Sequence, residues 1–221
     1  MKTYTFLKYA SKMVMVTLLA CSTISARAAF LAPGPASLYP APGEPDLPIG
    51  ALVASTGPLA FSSGPVAGTL ISEVWTADPS NPFGPGALTF TYRVSNTSVA
   101  AAIHRLTVSD FTPFLTDASF STIAAPGLAP TWIDRTTPDV IGFEFAGIPV
   151  GPGSLLPGMT SALLVIQTSA TIYAPSIANV IDGSVASVAS FAPIPAVIPE
   201  PTTLALASLA GATMLLARRR K

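Results

Sequence analysis

Proline and glycine punctuate this chain too densely for long helices to dominate it: 23 and 16 of its 221 residues. Proline stands at roughly twice its ordinary ~5% usage. It removes a backbone donor and clashes with the preceding helical turn, while glycine loses the most conformational freedom on folding. Half of the residues are hydrophobic and a tenth are charged. A disordered chain would be more charged and less apolar. Short strands joined by turns suit both facts.

Several segments have strand character. Gly68–Ala77 precedes Asp78–Gly86, a dense turn signal. The next segment, ALTFTYRVSN, places Leu88, Phe90, Tyr92 and Val94 on one face and Thr89, Thr91, Arg93 and Ser95 on the other. That strict period of two predicts a strand with one face on a core and one in water. Ile103–Phe111 and Asp139–Gly147 are further candidates. Thr160–Ala174 begins with a continuous apolar run, as a central buried strand does. Within Ala178–Phe191, Asp182 and Gly183 separate two apolar stretches as a hairpin turn would. About seven short strands without an amphipathic helix predict an all-β, antiparallel β-sandwich body, jelly-roll or immunoglobulin-like.

The charges are sorted along the chain. Lys2, Lys8, Lys12 and Arg27 precede Ala29, and Arg218, Arg219, Arg220 and Lys221 follow Ala217. Between them stand three cations, Arg93, Arg105 and Arg135, against all eleven carboxylates, a net charge of −8. Without a basic patch the body has no footprint for nucleic acid.

Residues 1–28 have the layout of a secretory signal peptide: three lysines, an apolar run from Met13 to Ile24, then small residues at Ala26 and Ala28. Cleavage is expected after Ala28. Leu18–Cys21 also resembles the lipobox of bacterial lipoproteins, which makes Cys21 the alternative processing and lipidation site. It is the chain's single cysteine. Cleavage at Ala28 therefore leaves a mature chain with no disulfide.

The inventory of chemical groups is thin. One histidine, His104, and no cysteine outside the leader exclude a His/Cys zinc site. His104 has no nucleophile elbow to serve, and a histidine beside Arg105 on a strand reads as structural. Asp110, Asp117, Asp134, Asp139 and Glu144 could supply a pair of carboxylates for acid–base work, but no spacing among them requires it. Asp78 and Asp182 are candidates for a calcium site at a sheet edge. Trp75, Trp132, Tyr39 and Tyr173 could stack on sugar rings where exposed, or pack in a core. No cofactor is expected, and the body reads as non-enzymatic.

The chain ends on Pro199-Glu200-Pro201, an uncharged apolar run from Thr202 to Ala217, and the four terminal cations. As a helix the sixteen-residue run would span about 24 Å at ~1.5 Å per residue, a little less than the ~30 Å bilayer core. Pro201 and Pro199 hold Glu200 and Ile198 out of the α region, so the helix cannot extend backwards. Arg218, Arg219 and Arg220 should stay cytoplasmic by the positive-inside rule. This ordered set resembles the PEP-CTERM sorting signal of Gram-negative bacteria.

The resemblance implies recognition by exosortase, a membrane enzyme that cuts near the motif, and a link to exopolysaccharide and biofilm. The expected partners are signal peptidase, the Sec translocon, exosortase and the inner membrane, with an extracellular polysaccharide as a candidate. The expected organisation is a signal peptide (1–28), a proline-rich unpacked leader (29–50), a β-sandwich (51–192), a linker (193–198) and the sorting signal with one transmembrane helix (199–221). The protein is expected to pass through an inner-membrane-anchored form on its way to the cell surface or matrix. Two other readings of the body stay open: a carbohydrate-binding module using Trp75 or Trp132, and a secreted hydrolase.

Overall fold

The computed structural model describes residues 29–43, 50–146 and 153–195. The signal segment with Cys21, Ala26 and Ala28, and the tail with Pro199, Glu200, Pro201, Arg218, Arg219 and Arg220, lie outside the described residues, as do both expected terminal helices. The described chain is all-β, with two antiparallel sheets and no helix.

The described residues form thirteen strands. The first six are β1 (Ala29–Leu31), β2 (Ala36–Leu38), β3 (Ala51–Ser55), β4 (Leu59–Ser63), β5 (Val66–Thr76) and β6 (Thr89–Asn96). Then come β7 (Arg105–Val108), β8 (Thr116–Ser121), β9 (Trp132–Arg135), β10 (Ile141–Glu144), β11 (Leu163–Thr168), β12 (Tyr173–Ile181) and β13 (Val185–Pro193). One sheet runs β1-β8-β11-β6-β5-β3, with β4 also paired to β5, and the other runs β13-β12-β7-β10-β9-β2. Leu70, Val74, Phe90 and Tyr92 from the first sheet share one apolar core with Leu106, Ile133, Phe143 and Val180 from the second. Phe90 meets Phe111 edge-on across this core, ring centroids 5.9 Å apart.

The alternation of ALTFTYRVSN is realised on its apolar side, since Leu88, Phe90, Tyr92 and Val94 are all buried. Its other face departs from expectation: Thr89 and Thr91 are buried too. Thr89 lies beneath the turn after β5, where its hydroxyl donates to Asp78 (2.7 Å). The strand from the 160s is central, with β8 and β6 on its two sides. The Asp182–Gly183 turn closes the β12–β13 hairpin, and Gly183 takes a φ of +79° that a side chain would strain.

The expected unpacked leader, 29–50, is corrected over 29–43, the part that the structure describes together with Gly50. β1 pairs with β8 and β2 with β9, so this segment supplies an edge strand to each sheet. Leu31 is fully buried, and its carbonyl accepts from the Thr116 hydroxyl (2.8 Å). Prolines between strands of three residues hid that pairing. At the opposite side β13 packs along β4 and β5. The Phe191 N–H donates to Ser72 Oγ (3.1 Å) and its carbonyl accepts from Tyr92 OH (2.8 Å). Two polar side chains of one sheet thus cap the open edge of the other, which removes a template for edge-to-edge pairing. Burial, and secondarily the nearby charge of Asp110, raises the Tyr92 phenol above its ordinary pKa, so it stays a donor.

Candidate functional site

On β5 the inward turn of Leu70, Ser72 and Val74 leaves Ile71, Glu73 and Trp75 on the outer face of the seven-stranded sheet. Across the ladder Ile71 faces Arg93 and Glu73 faces Thr91. A cavity of about 150 Å³ opens here, lined by Ile71, Glu73, Thr91, Arg93, Ala125 and Leu163 together with Tyr92. Glu73 accepts two long hydrogen bonds, both 3.4 Å, from the hydroxyls of Ser55 and Thr91. Arg93 donates from Nη2 to the Pro126 carbonyl (3.2 Å), while its Nε is buried without an acceptor. The Trp75 indole N–H reaches over the sheet to Thr91 Oγ1 (3.1 Å).

Next to this cavity, the turn after β5 is folded onto the sheet by Asp78, which is 2% exposed. Its Oδ1 accepts from the backbone and hydroxyl of Ser80 (3.0 and 2.8 Å), and its Oδ2 from Thr89 (2.7 Å) and Gln167 (3.3 Å). Four protein donors therefore engage the carboxylate that could have ligated calcium, and they give it a structural task instead. Asp182, the other calcium candidate, sits in the β12–β13 turn, where its N–H donates to the Ser184 carbonyl (3.0 Å). Among the described residues no group of three or more His, Cys, Asp or Glu side chains is placed to hold a metal.

The outer face of the six-stranded sheet carries the second tryptophan. Arg105 on β7 lies diagonally across β10 and grips Asp134 on β9 with Nη1 (2.6 Å) and Nη2 (2.7 Å). Nη1 also reaches Glu144 at 3.5 Å, and the Trp132 indole donates to Asp134 at 3.2 Å. Burial opposes the Arg105 charge, but the hydrogen bond and charge of Asp134, then those of Glu144, outweigh it and hold the guanidinium above its ordinary pKa.

Gly142 makes that crossing possible, because a Cβ there would sit 2.1 Å from Arg105 Nη2. Gly142→Ala is therefore expected to dislodge Arg105. Elsewhere in a strand, alanine would gain roughly 0.5–1 kcal/mol over glycine. Here a net loss of about 1 kcal/mol is expected in a denaturation midpoint, because a largely buried, bidentate pair is broken. A midpoint unchanged or raised would show that the guanidinium reroutes without cost.

Of the five carboxylates singled out in the sequence, the fold brings together Asp134 and Glu144, and both serve one cation. Asp110 and Asp139 lie near the Phe111 end of the core, where Asp139 Oδ1 accepts from the Thr112 N–H (3.4 Å). Asp117 lies on β8, opposite Gln167. The side chain of His104 is exposed, and its backbone bonds Ile181 and Phe145. Tyr39 is exposed at 69%, whereas Tyr173 packs edge-on against Phe191. Nothing local in the sequence places Glu73 and Arg93 on one cavity, which follows once β5 and β6 are set in antiparallel register.

Residues 197–221 match the family model of the PEP-CTERM protein-sorting motif. That motif indicates an exported protein sorted by an exosortase. Neither the curated proteins nor the solved structures compared with the chain give a match. No helix among the described residues is long and apolar enough to cross a membrane.

Proposed function

We propose, from the sorting motif at 197–221, that this chain is a non-enzymatic protein of the cell surface or extracellular matrix, linked to exopolysaccharide. Its export runs through the Sec translocon and signal peptidase, with cleavage after Ala28. A transient stage follows, anchored by residues 202–217, with a β-sandwich body of jelly-roll or immunoglobulin-like type outside the cytoplasm. Pro199, Glu200 and Pro201 are the recognition element, and Arg218, Arg219 and Arg220 set the orientation.

The match to the sorting motif carries this reading. The chemistry of the body is consistent with it, since Asp134 and Glu144 are both engaged by Arg105, and Asp78 by four donors. The test is the intact mass of the protein recovered from outside the producing cells. Expected is a mass that starts at Ala29 and lacks the terminal cations. Recovery of the whole 221-residue chain in the inner membrane would refute sorting, and a lipid adduct on Cys21 would replace Ala28 as the processing site.

A second reading, carbohydrate binding by the body, is favoured by one observation: Trp75 and Trp132 are both partly exposed on the outer faces of the two sheets. Retention on a polysaccharide column, lost when one of them is changed to alanine, is its test.

A further inference from the structure

The two tryptophans stand in opposite chemical surroundings. Around Trp132 the charges are closed on themselves, Asp134 holding both the indole and the Arg105 guanidinium. Around Trp75 they are open. Glu73 and Arg93 line the same cavity and form no ion pair with each other. Arg93 has spent one of its five N–H donors, and Glu73 has only two long bonds. Charged groups left under-satisfied in a partly buried site carry a desolvation cost that a ligand can relieve.

We propose that the cavity over Glu73 and Arg93 is a subsite for one uncharged sugar ring. The proposal rests on the carbohydrate-binding reading and assigns it to Trp75. Neighbouring hydroxyls on a ring can donate to the Glu73 carboxylate and accept from the Arg93 guanidinium at once, two charge-assisted bonds from one small neutral group. Ile71, Ala125 and Leu163 give the site an apolar side for the C–H face of the ring. The Thr91 hydroxyl, already shared by Trp75 and Glu73, couples an occupant to the indole.

The cavity offers no net attraction to a single charge, since beside Arg93 the Glu73 carboxylate repels a uronate or phosphate. The other two arginines of the body give such a group no help, because Arg105 is paired and Arg135 is fully buried. At about 150 Å³ the cavity is smaller than the ~300–1,000 Å³ of a drug-sized site, which fits one ring and not an extended oligosaccharide.

The chain has two tryptophans, so an ¹⁵N-labelled sample gives two indole N–H signals, assignable with Trp75→Phe. The full-length chain, held in a detergent without a sugar head group, is titrated with D-glucose, D-galactose and D-mannose to about 100 mM, enough to reveal millimolar dissociation constants. Glycine is titrated separately as a zwitterion. Saturable movement of the Trp75 signal with at least one sugar, and a still Trp132 signal, is expected. Arg93→Met and Glu73→Gln should each weaken binding about tenfold or more, with the Trp132 signal in place as the check that the fold is intact.

Movement of Trp132 instead of Trp75 would overturn this site while leaving carbohydrate binding standing. Silence of both signals with all three sugars would overturn both. Movement of Trp75 with glycine alone would assign the cavity to a zwitterion and overturn the sugar.

Discussion

Replacing Arg135 by methionine is expected to remove a large part of the stability of the body, about 4 kcal/mol of the ~5–15 kcal/mol typical of a domain. Arg135 lies on β9 two residues after the buried Ile133, so strand alternation turns it into the interior, where it is 0% exposed. Among the described residues no carboxylate forms an ion pair with it there. Its Nε and Nη2 donate to the Pro138 carbonyl (2.9 and 2.6 Å), and Nη2 also to Phe111 (2.8 Å). Nη1 donates to the carbonyls of Phe114 (3.0 Å) and Leu31 (3.3 Å) and to Thr116 Oγ1 (2.9 Å).

One side chain therefore ties β1, the segment around 111–116 and the turn before β10 to a single point. Burial lowers the pKa of the guanidinium from its ordinary value, and the charge of Asp139 opposes that shift. Methionine would fill much of the volume but leave four carbonyls without this donor, those of Leu31 and Phe111 buried, at roughly 1–3 kcal/mol for each one that finds no water. Lysine, with three donors on a point, should recover only part of the loss. Urea unfolding followed by tryptophan fluorescence measures this as a lower midpoint at unchanged slope. A loss below about 1 kcal/mol, within the range of a single hydrogen bond, would show that the cage is filled by water instead.

Changing Pro199, Glu200 and Pro201 together to alanine is expected to abolish tail removal and leave a full-length, membrane-bound form. A proline disfavours the α region for the residue before it, and on the proposed reading that is what leaves the motif open to a cutting enzyme. Alanine is the best helix former, and three of them would remove that bar to helix over about 4.5 Å of chain. Blotting membrane and medium fractions for the body reads the result. Glu200→Ala alone keeps both prolines and separates recognition of the carboxylate from the extended backbone. Normal processing of the triple variant would refute the role of the motif.

The strands that read clearly were those whose alternation or apolar run is local. β5, β6, β11 and the β12–β13 hairpin each carry their pattern within about ten residues. β1 and β2 carry none, being three residues each among prolines, and they exist because β8 and β9 offer them edges. Thr89 and Thr91 read as solvent-facing because nothing in ALTFTYRVSN announces that the Asp78 turn and Trp75 fold over them. Arg135 read only as one of the three cations of the body, although its parity with Ile133 was available as a signal. The Glu73–Arg93 cavity was legible only as two charges twenty residues apart.

The sequence by itself determined the all-β class and the sorting address, because both are written in local order: turn residues between alternating segments, and a motif, an apolar run and cations at one end. The tertiary structure decided which edges are sealed, where the buried cation finds its acceptors and which tryptophan stands by open charges. Those outcomes depend on register between strands far apart in the chain, as when Arg135 meets the carbonyl of Leu31 across 104 residues. A pairing of that kind is selected by the packing of the whole core and leaves no local pattern to read.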